Sequence, residues 1–200
     1  MEHSCYNCDM KNELQNLSKK LKKTADLLLG KTGLIELLEK YGSVYKMGSY
    51  QLDLMVDGDI DIYVIDKQFS KERAIKCLND LIFKNSFRGY LFYDFVNRRK
   101  KGFPKGYYIG LKTRQGGKKW KIDIWFMKTM DGISSGFMKK VISELNDERR
   151  NKILELKKIV KDEKIDLPSF VIYNAVIEGA VDNMKKLIKF AIKEGHRVSR

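Results

Sequence analysis

Three aspartates stand where β-strands ordinarily carry apolar side chains, and that placement constrains this chain more than any other feature. Asp59 and Asp61 alternate with Ile60 and Ile62, and Asp123 lies between Ile122 and Ile124. Asp is depleted in strands, and burying an unpaired carboxylate among Ile, Val, Tyr, Trp and Phe is costly. Successive side chains of an extended strand point to opposite faces, so Asp59 and Asp61 share a face about 7 Å apart. Asp123 would complete the group from a second strand. Ordinary solvated acids on half-exposed strands account for one such residue. Three of them, with Gly48-Ser49 separated from Asp59 by nine residues, call for a ligand.

The residue types point to metal-assisted phosphoryl transfer. Mg²⁺ prefers hard oxygen ligands and is usually held by one or two carboxylates plus substrate phosphates. Two such ions about 4 Å apart clamp the attacking and leaving oxygens of an in-line displacement. Gly48 has no side chain and tolerates positive φ, so the backbone there can approach a phosphate while the Ser49 hydroxyl and nearby N–H groups donate to its oxygens. The strand alternation places Lys121 on the face of Asp123, where it serves either a phosphate or the charge balance of Asp123. Asp94 and Glu178 are candidates for a general base.

Met47-Gly48-Ser49, the nine-residue gap, Asp59-Ile60-Asp61-Ile62 and Ile122-Asp123-Ile124 together resemble the signature of the polymerase-beta-type nucleotidyltransferase superfamily, which includes the antibiotic nucleotidyltransferases. The resemblance covers roughly residues 33–127. It implies that Gly48 and Ser49 hold a nucleoside triphosphate. It also implies that Asp59, Asp61 and Asp123 bind two Mg²⁺ ions, with Mn²⁺ as a substitute, and that a nucleoside monophosphate, AMP by likeness, passes to an acceptor hydroxyl. Many antibiotic-modifying members carry an Arg and a Gly between the Gly-Ser and the paired acids, where this chain reads Tyr50-Gln51-Leu52-Asp53-Leu54-Met55-Val56-Asp57-Gly58. That departure points away from antibiotic modification.

Charge raises a competing reading. The chain carries a formal net charge of +14, with clusters at Arg98-Arg99-Lys100-Lys101, Lys118-Lys119, Lys139-Lys140 and Arg149-Arg150, several beside aromatics such as Phe95, Phe103 and Trp120. Basic patches with interleaved aromatics are an electrostatic footprint of polynucleotides. Yet 31 of the 40 basic residues are Lys, spread over the whole chain, and a positive field also attracts a triphosphate. The acceptor is therefore left as an unidentified hydroxyl-bearing compound, with nucleic acid open to it but not favoured. The alternatives are a non-catalytic nucleic-acid or nucleotide binder and a transferase acting on protein or RNA. Three clustered carboxylates argue against a pure polyanion binder, because they repel phosphate unless cations intervene.

The remaining signals set the frame. Two hundred residues with 43% hydrophobic content can bury a sizeable core. The amino terminus lacks the pattern of a secretory signal and no stretch approaches the ~18 apolar residues of a spanning helix, so no membrane is expected and the location reads as cytoplasmic. Three cysteines do not make a disulfide framework, and Cys5, Cys8 and His3 are half of a zinc site at best, with Cys77 and His196 as distant partners. Gly30-Lys31-Thr32 resembles the end of a P-loop but follows a helix and lacks the upstream glycine.

Periodicity predicts helices over Lys11–Leu29, Leu34–Lys40 and Lys71–Asn85, and strands over Val44–Met47, Asp59–Ile65 and Gly89–Arg99. A hairpin of Tyr107–Lys112 and Trp120–Met127 turns at Gly116-Gly117. From Ser134, with Ser134 or Ser135 as a cap, the pattern is helical, and Leu167-Pro168-Ser169 opens a last segment striped with Tyr173, Ile177, Met184, Leu187 and Ala191. The expected class is α/β of the α+β type, a mixed-sheet nucleotidyltransferase core with flanking helices and a helical C-terminal extension. The expected division is 1–32 tail and helix, 33–130 catalytic core and 131–200 helical region.

Overall fold

The computed structural model describes residues 2–98, 103–130 and 135–199, and the side chains of 12–98, 103–130 and 136–199 among them. Five strands form one mixed sheet: β1 (Ser43–Met47), β2 (Asp59–Ile65), β3 (Gly89–Asp94), β4 (Tyr107–Gln115) and β5 (Lys118–Met127), in the order β1-β2-β5-β4-β3. The helices are α1 (Glu2–Thr32), α2 (Leu34–Glu39), α3 (Gly48–Leu52), α4 (Lys71–Lys84), α5 (Ser135–Glu144), α6 (Asp147–Asp162), α7 (Ser169–Ile177) and α8 (Met184–Lys193). The expected mixed-sheet α/β class is what forms.

Alternation decides which face of the sheet is core. Ile60, Ile62 and Val64 of β2, Ile122, Ile124 and Phe126 of β5, and Ile109 and Leu111 of β4 are all fully buried. Ala74, Cys77 and Leu81 of α4, with Leu34 and Leu38 of α2, supply the helical side of that layer. The intervening residues Asp59, Asp61 and Asp123 necessarily point the other way. β2 and β5 pair in parallel, Asp59 opposite Lys121, Asp61 opposite Asp123 and Tyr63 opposite Trp125, while every other pairing is antiparallel.

α1 runs over Glu2–Thr32, longer than the Lys11–Leu29 of the sequence expectation, and α3 is absent from that expectation; three further elements differ from it, each for a local reason. β3 stops at Asp94 rather than running to Arg99, because the Asp94 carboxylate accepts hydrogen bonds from the backbone N–H groups of Val96 (3.0 Å) and Asn97 (3.1 Å), which turns the chain. The β4–β5 hairpin extends to Gln115 and Lys118, since Gly116 and Gly117 both take positive φ, 56° and 75°, and close a two-residue turn. The last helical segment is two helices. Ala180 at φ 47° interrupts the stripe, and the Asn183 side chain then caps α8 by accepting from the N–H of Lys186 at 3.0 Å. Ser134 and the side chain of Ser135 lie outside the described residues, as do the side chains of His3, Cys5 and Cys8 and the basic run Arg99-Lys100-Lys101.

The chain divides into two compact units. One comprises Leu21–Leu52 and Asp57–Ser135 and contains the sheet; the other comprises Met1–Lys20, Asp53–Val56 and Gly136–Arg200. In the second unit, α6 presents Arg150, Lys157 and Lys161, which donate to the carbonyls of Asp53 (3.1 Å), Leu54 (2.7 Å) and Val56 (3.1 Å). Ser18 closes the same segment, donating to the Asp53 carbonyl and accepting from the Met55 N–H. Ile153, Leu156, Val171, Ile172 and Leu187 are buried in this unit's core. Among the described residues, no helix is long and apolar enough to cross a membrane.

The central position of β5 sets a first expectation. Ile124→Ala, at a fully buried site paired on both sides, should lower stability by about 2–5 kcal/mol. A urea titration should show the lower midpoint with an unchanged slope.

Candidate active site

The exposed-side face of the sheet reads as successive rows across the strands. Asp59, Lys121, Lys112 and Gly89 stand side by side in the first row, and Met47, Asp61, Asp123, Gly110 and Leu91 in the next. The parallel register therefore brings the predicted acids together. One oxygen from each of Asp59, Asp61 and Asp123 lies within 4.8 Å of the other two. Like charges at such separations repel by about 3–4 kcal/mol per pair at an effective dielectric near 20. Cations placed beside the group relieve that repulsion.

Lys121 supplies one. Its ammonium lies 2.7 Å from Asp123 Oδ2 and 3.6 Å from Asp59 Oδ1. Partial burial on its own would lower the lysine pKa, but the charge of Asp59, the hydrogen bond and charge of Asp123 and the charge of Asp61 outweigh it, and the net direction is upward. Lys121 thus stays charged. Of the two uses open to it in the sequence, balance of Asp123 is the one this geometry displays. With Lys121 beside them, three hard oxygen donors still stand close together, an arrangement able to hold a divalent cation.

Tyr108 completes the cluster from β4, donating its hydroxyl to Asp123 Oδ1 at 2.6 Å. Burial raises the Tyr108 pKa well above the usual phenol range, with the hydrogen bond to Asp123 and the charges of Asp123, Asp59 and Asp61 adding to it, so the group remains a donor. Gly110 makes this bond possible. A Cβ there would sit 2.6 Å from the Tyr108 hydroxyl oxygen, in the space the ring crosses to reach Asp123. Neither residue stands out in the sequence, although the two-residue turn at Gly116-Gly117 fixes the register that sets Gly110 opposite Asp123.

Gly48 and Ser49 lie where β1 ends against β2, Met47 pairing with Asp61. Gly48 adopts φ 61°, and a Cβ on it would come 2.2 Å from Asp61 Oδ2, so glycine is required by backbone conformation and by the acid. Ser49 is buried. The next residue anchors the turn: Tyr50 donates its hydroxyl to Asp26 Oδ1 at 2.5 Å, and the Lys22 ammonium sits 4.5 Å above its ring.

Other candidates are engaged elsewhere. Asp94 holds its turn, and its pKa is lowered chiefly by the Asn97 hydrogen bonds, which makes it a poor base. Glu178 pairs with Lys140 at 2.7 Å. The Cys77 thiol is buried, which with the nearby Asp80 charge pushes its pKa up to about 12 and disfavours the thiolate a zinc site needs. His196 packs edge-on against Phe170. Lys31 and Thr32 form the end of α1, and Thr32 bonds back to the carbonyl of Leu28.

No family model and no curated protein matches the sequence. Solved structures do. The chain superposes on a non-canonical poly(A) polymerase complex of GLD-2 with GLD-3 with a TM-score of 0.57 at 13% identity, over 84% of this chain and 57% of that one. The polymerase core of TRAMP, an RNA surveillance complex, gives a TM-score of 0.54 at 16% identity, over 91% of this chain and 65% of that one. A GLD-2/RNP-8 complex gives 0.55 at 10% identity, over 94% of this chain and 72% of that one. The chain shares the fold of these polymerase chains. At these identities the likeness is one of fold, and the chain spans only about three fifths of the length of the first two polymerase chains. Within that shared fold, Asp59, Asp61 and Asp123 form a group able to hold metal.

A paired measurement isolates the Gly48–Asp61 contact. Gly48→Ala and Gly117→Ala both place a side chain at positive φ, a cost of about 1–2 kcal/mol, but a Cβ at Gly117 meets nothing within 4 Å. Gly48→Ala should therefore be the more destabilising in urea unfolding, by the cost of displacing the Asp61 carboxylate.

Proposed function

We propose that this protein is a Mg²⁺-dependent nucleotidyltransferase that moves a nucleoside monophosphate, AMP by likeness, from a nucleoside triphosphate to an acceptor hydroxyl. The observation that carries the reading is the convergence of three carboxylate oxygens within 4.8 Å, with Gly48 packed against one of the three acids. In the reaction the acceptor oxygen bonds to the α-phosphorus, the bond from that phosphorus to the β-bridging oxygen breaks, the acceptor proton leaves to base or solvent, and pyrophosphate departs.

Each residue then has a task. Asp59, Asp61 and Asp123 would hold the divalent ions, which when bound neutralise the phosphates and polarise the attacking hydroxyl. The Gly48 backbone and the Ser49 hydroxyl would cradle the triphosphate tail. Lys121, next to Asp59 and Asp123, would be free to turn toward a phosphate bound there. Tyr108 would act as a positioning residue, fixing the rotamer of Asp123 through their 2.6 Å bond. The second reading, a non-catalytic polyanion binder, rests on the net charge of +14 and leaves the acidic cluster unexplained.

Two measurements test the proposal. A ligand that binds only the folded state at a hundredfold excess over its Kd stabilises by about 2.7 kcal/mol. Mg²⁺ with triphosphate should therefore raise the melting temperature, and triphosphate with a chelator should raise it much less. Equal shifts would show surface attraction alone. Labelled-triphosphate assays over an acceptor panel should also show Asp123→Asn lowering kcat far more than it raises KM, because Asp123 serves the attacking side. Asp53→Asn is the control, at φ 55° where Asn is tolerated, and should be near normal. A comparable loss in both variants would displace Asp123 from the site.

A further inference from the structure

The β4–β5 hairpin opposes like charges in two successive rows. Lys112 pairs with Lys121 and Arg114 with Lys119, each directly across the strands and all four on the face of Asp123. Directly opposed like charges destabilise a strand pair, whereas opposite charges in the same places stabilise it. Lys121 is compensated by Asp123 and Asp59. Lys112, Arg114 and Lys119 are exposed, and among the described residues none of the three has an ion pair or a side-chain hydrogen bond. Several lysines of the helices are arranged otherwise: Lys140, Lys152, Lys158 and Lys186 each pair with an acid. The hairpin therefore keeps uncompensated positive charge at a cost in stability, and an anionic ligand would relieve it.

The extent of the basic block identifies the ligand. The Arg114–Lys119 pair stands about 13 Å along the strands from the Gly110–Asp123 pair, with Lys112 and Lys121 midway. Beyond Arg114 and Lys119 the hairpin closes at Gly116-Gly117, and the β3 position beside Lys112 is Gly89, which offers no side chain. The charge is thus confined to two rows, too short for a track of successive backbone phosphates. Tyr108 and Trp125, the rings that β4 and β5 place on this face, lie on the far side of Asp123, so the block recognises charge and not a base. An Arg fork meets two oxygens of a phosphoryl group at once, and Lys adds point charges beside it. That set fits a compact anion with adjoining phosphoryl groups. The transfer reaction proposed above releases such an anion, pyrophosphate, next to Lys121.

We infer that Lys112, Arg114 and Lys119 form a pyrophosphate site outside the acidic cluster, which takes up the leaving group as it moves away from Asp59, Asp61 and Asp123. The identity of the ligand rests on the nucleotidyl-transfer reading, and the site itself rests on the opposed charges of the hairpin. The two places differ in what they require. The three acids repel a phosphate unless divalent cations intervene, whereas the block of Lys112, Arg114 and Lys119 contains no acid and binds pyrophosphate without metal.

Calorimetric titration with sodium pyrophosphate in the presence of a chelator, at one low salt concentration, tests the site. The native protein should bind, and Arg114→Gln combined with Lys119→Gln should weaken binding by roughly tenfold or more, the loss expected for hydrogen bonds to charged groups. Lys118→Gln removes the same charge from the other face of the hairpin, opposite Gln115, and should leave the affinity near the native value. Lys119→Glu sets an acid across from Arg114. It should raise the ligand-free melting temperature while abolishing pyrophosphate binding, an opposition that a lysine serving only the fold would not show. No metal-free binding by the native protein, an equal loss in the Lys118 variant, or orthophosphate bound as tightly as pyrophosphate overturns the proposal. So does a short single-stranded RNA that binds through Arg114 and Lys119 more tightly than pyrophosphate, which would make the block part of a polynucleotide track. The Mg²⁺-triphosphate melting shift of the native protein separates the two claims. A shift without metal-free pyrophosphate binding removes the site and leaves the transfer reading standing, and pyrophosphate binding without a shift does the reverse.

Discussion

The parallel pairing of β2 with β5 forces three like charges onto one patch of sheet, and the surrounding structure is arranged to tolerate them. The pairing cannot relax by one residue, since a slip would turn Ile60, Ile62, Ile122 and Ile124 out of the core. Burial of the apolar set thus holds the acids in place against their own repulsion. Compensation comes from three directions: an ammonium from Lys121 on β5, a phenol from Tyr108 on β4, and a glycine at position 48 that leaves room for Asp61. Each is a short-range device at a place where a larger or differently charged side chain would fail.

Much of this was legible in the chain because apolar alternation is a strong signal. Asp59-Ile60-Asp61-Ile62 and Ile122-Asp123-Ile124 announce their strands and the side on which the acids lie, and Gly116-Gly117 announces the hairpin. What periodicity lacks is a statement of which strands become neighbours. That β2 lies beside β5 in parallel follows from a crossover through α4 and the β3–β4 pair, a property of the whole chain. The fine structure of the site depends on that same fact. Tyr108 and Gly110 matter only because β4 borders β5 on its other edge, and in the sequence they are two unremarked residues of an apolar strand.

Two of the errors of element extent involve the same competition. The run from Gly89 to Arg99 is aromatic and extended by propensity, yet a single carboxylate, Asp94, captures two following N–H groups and ends the strand. The stripe from Tyr173 to Ala191 is helical throughout by period, yet Ala180 at positive φ and the Asn183 cap divide it. Side-chain bonds to nearby backbone compete with ladder and helix bonds on nearly equal terms, and hydrophobic period does not register them.

The nine-residue gap between Ser49 and Asp59 also has a physical origin. After Met47 pairs with Asp61, the chain turns through Gly48 into α3, whose Tyr50 is fixed to Asp26 and covered by Lys22. It then runs through Asp53–Val56, whose carbonyls and N–H groups are taken up by Arg150, Lys157, Lys161 and Ser18, before returning at Gly58, where the Lys121 N–H donates to its carbonyl at 2.8 Å. A segment of polar backbone with few regular partners would otherwise cost free energy for each unsatisfied group. Here the carbonyls of Asp53, Leu54 and Val56 and the N–H of Met55 each have a partner. Gly48 is held against Asp61 on one side and Asp59 is delivered into register with Lys121 on the other. The spacing that made the motif recognisable is the length of that detour.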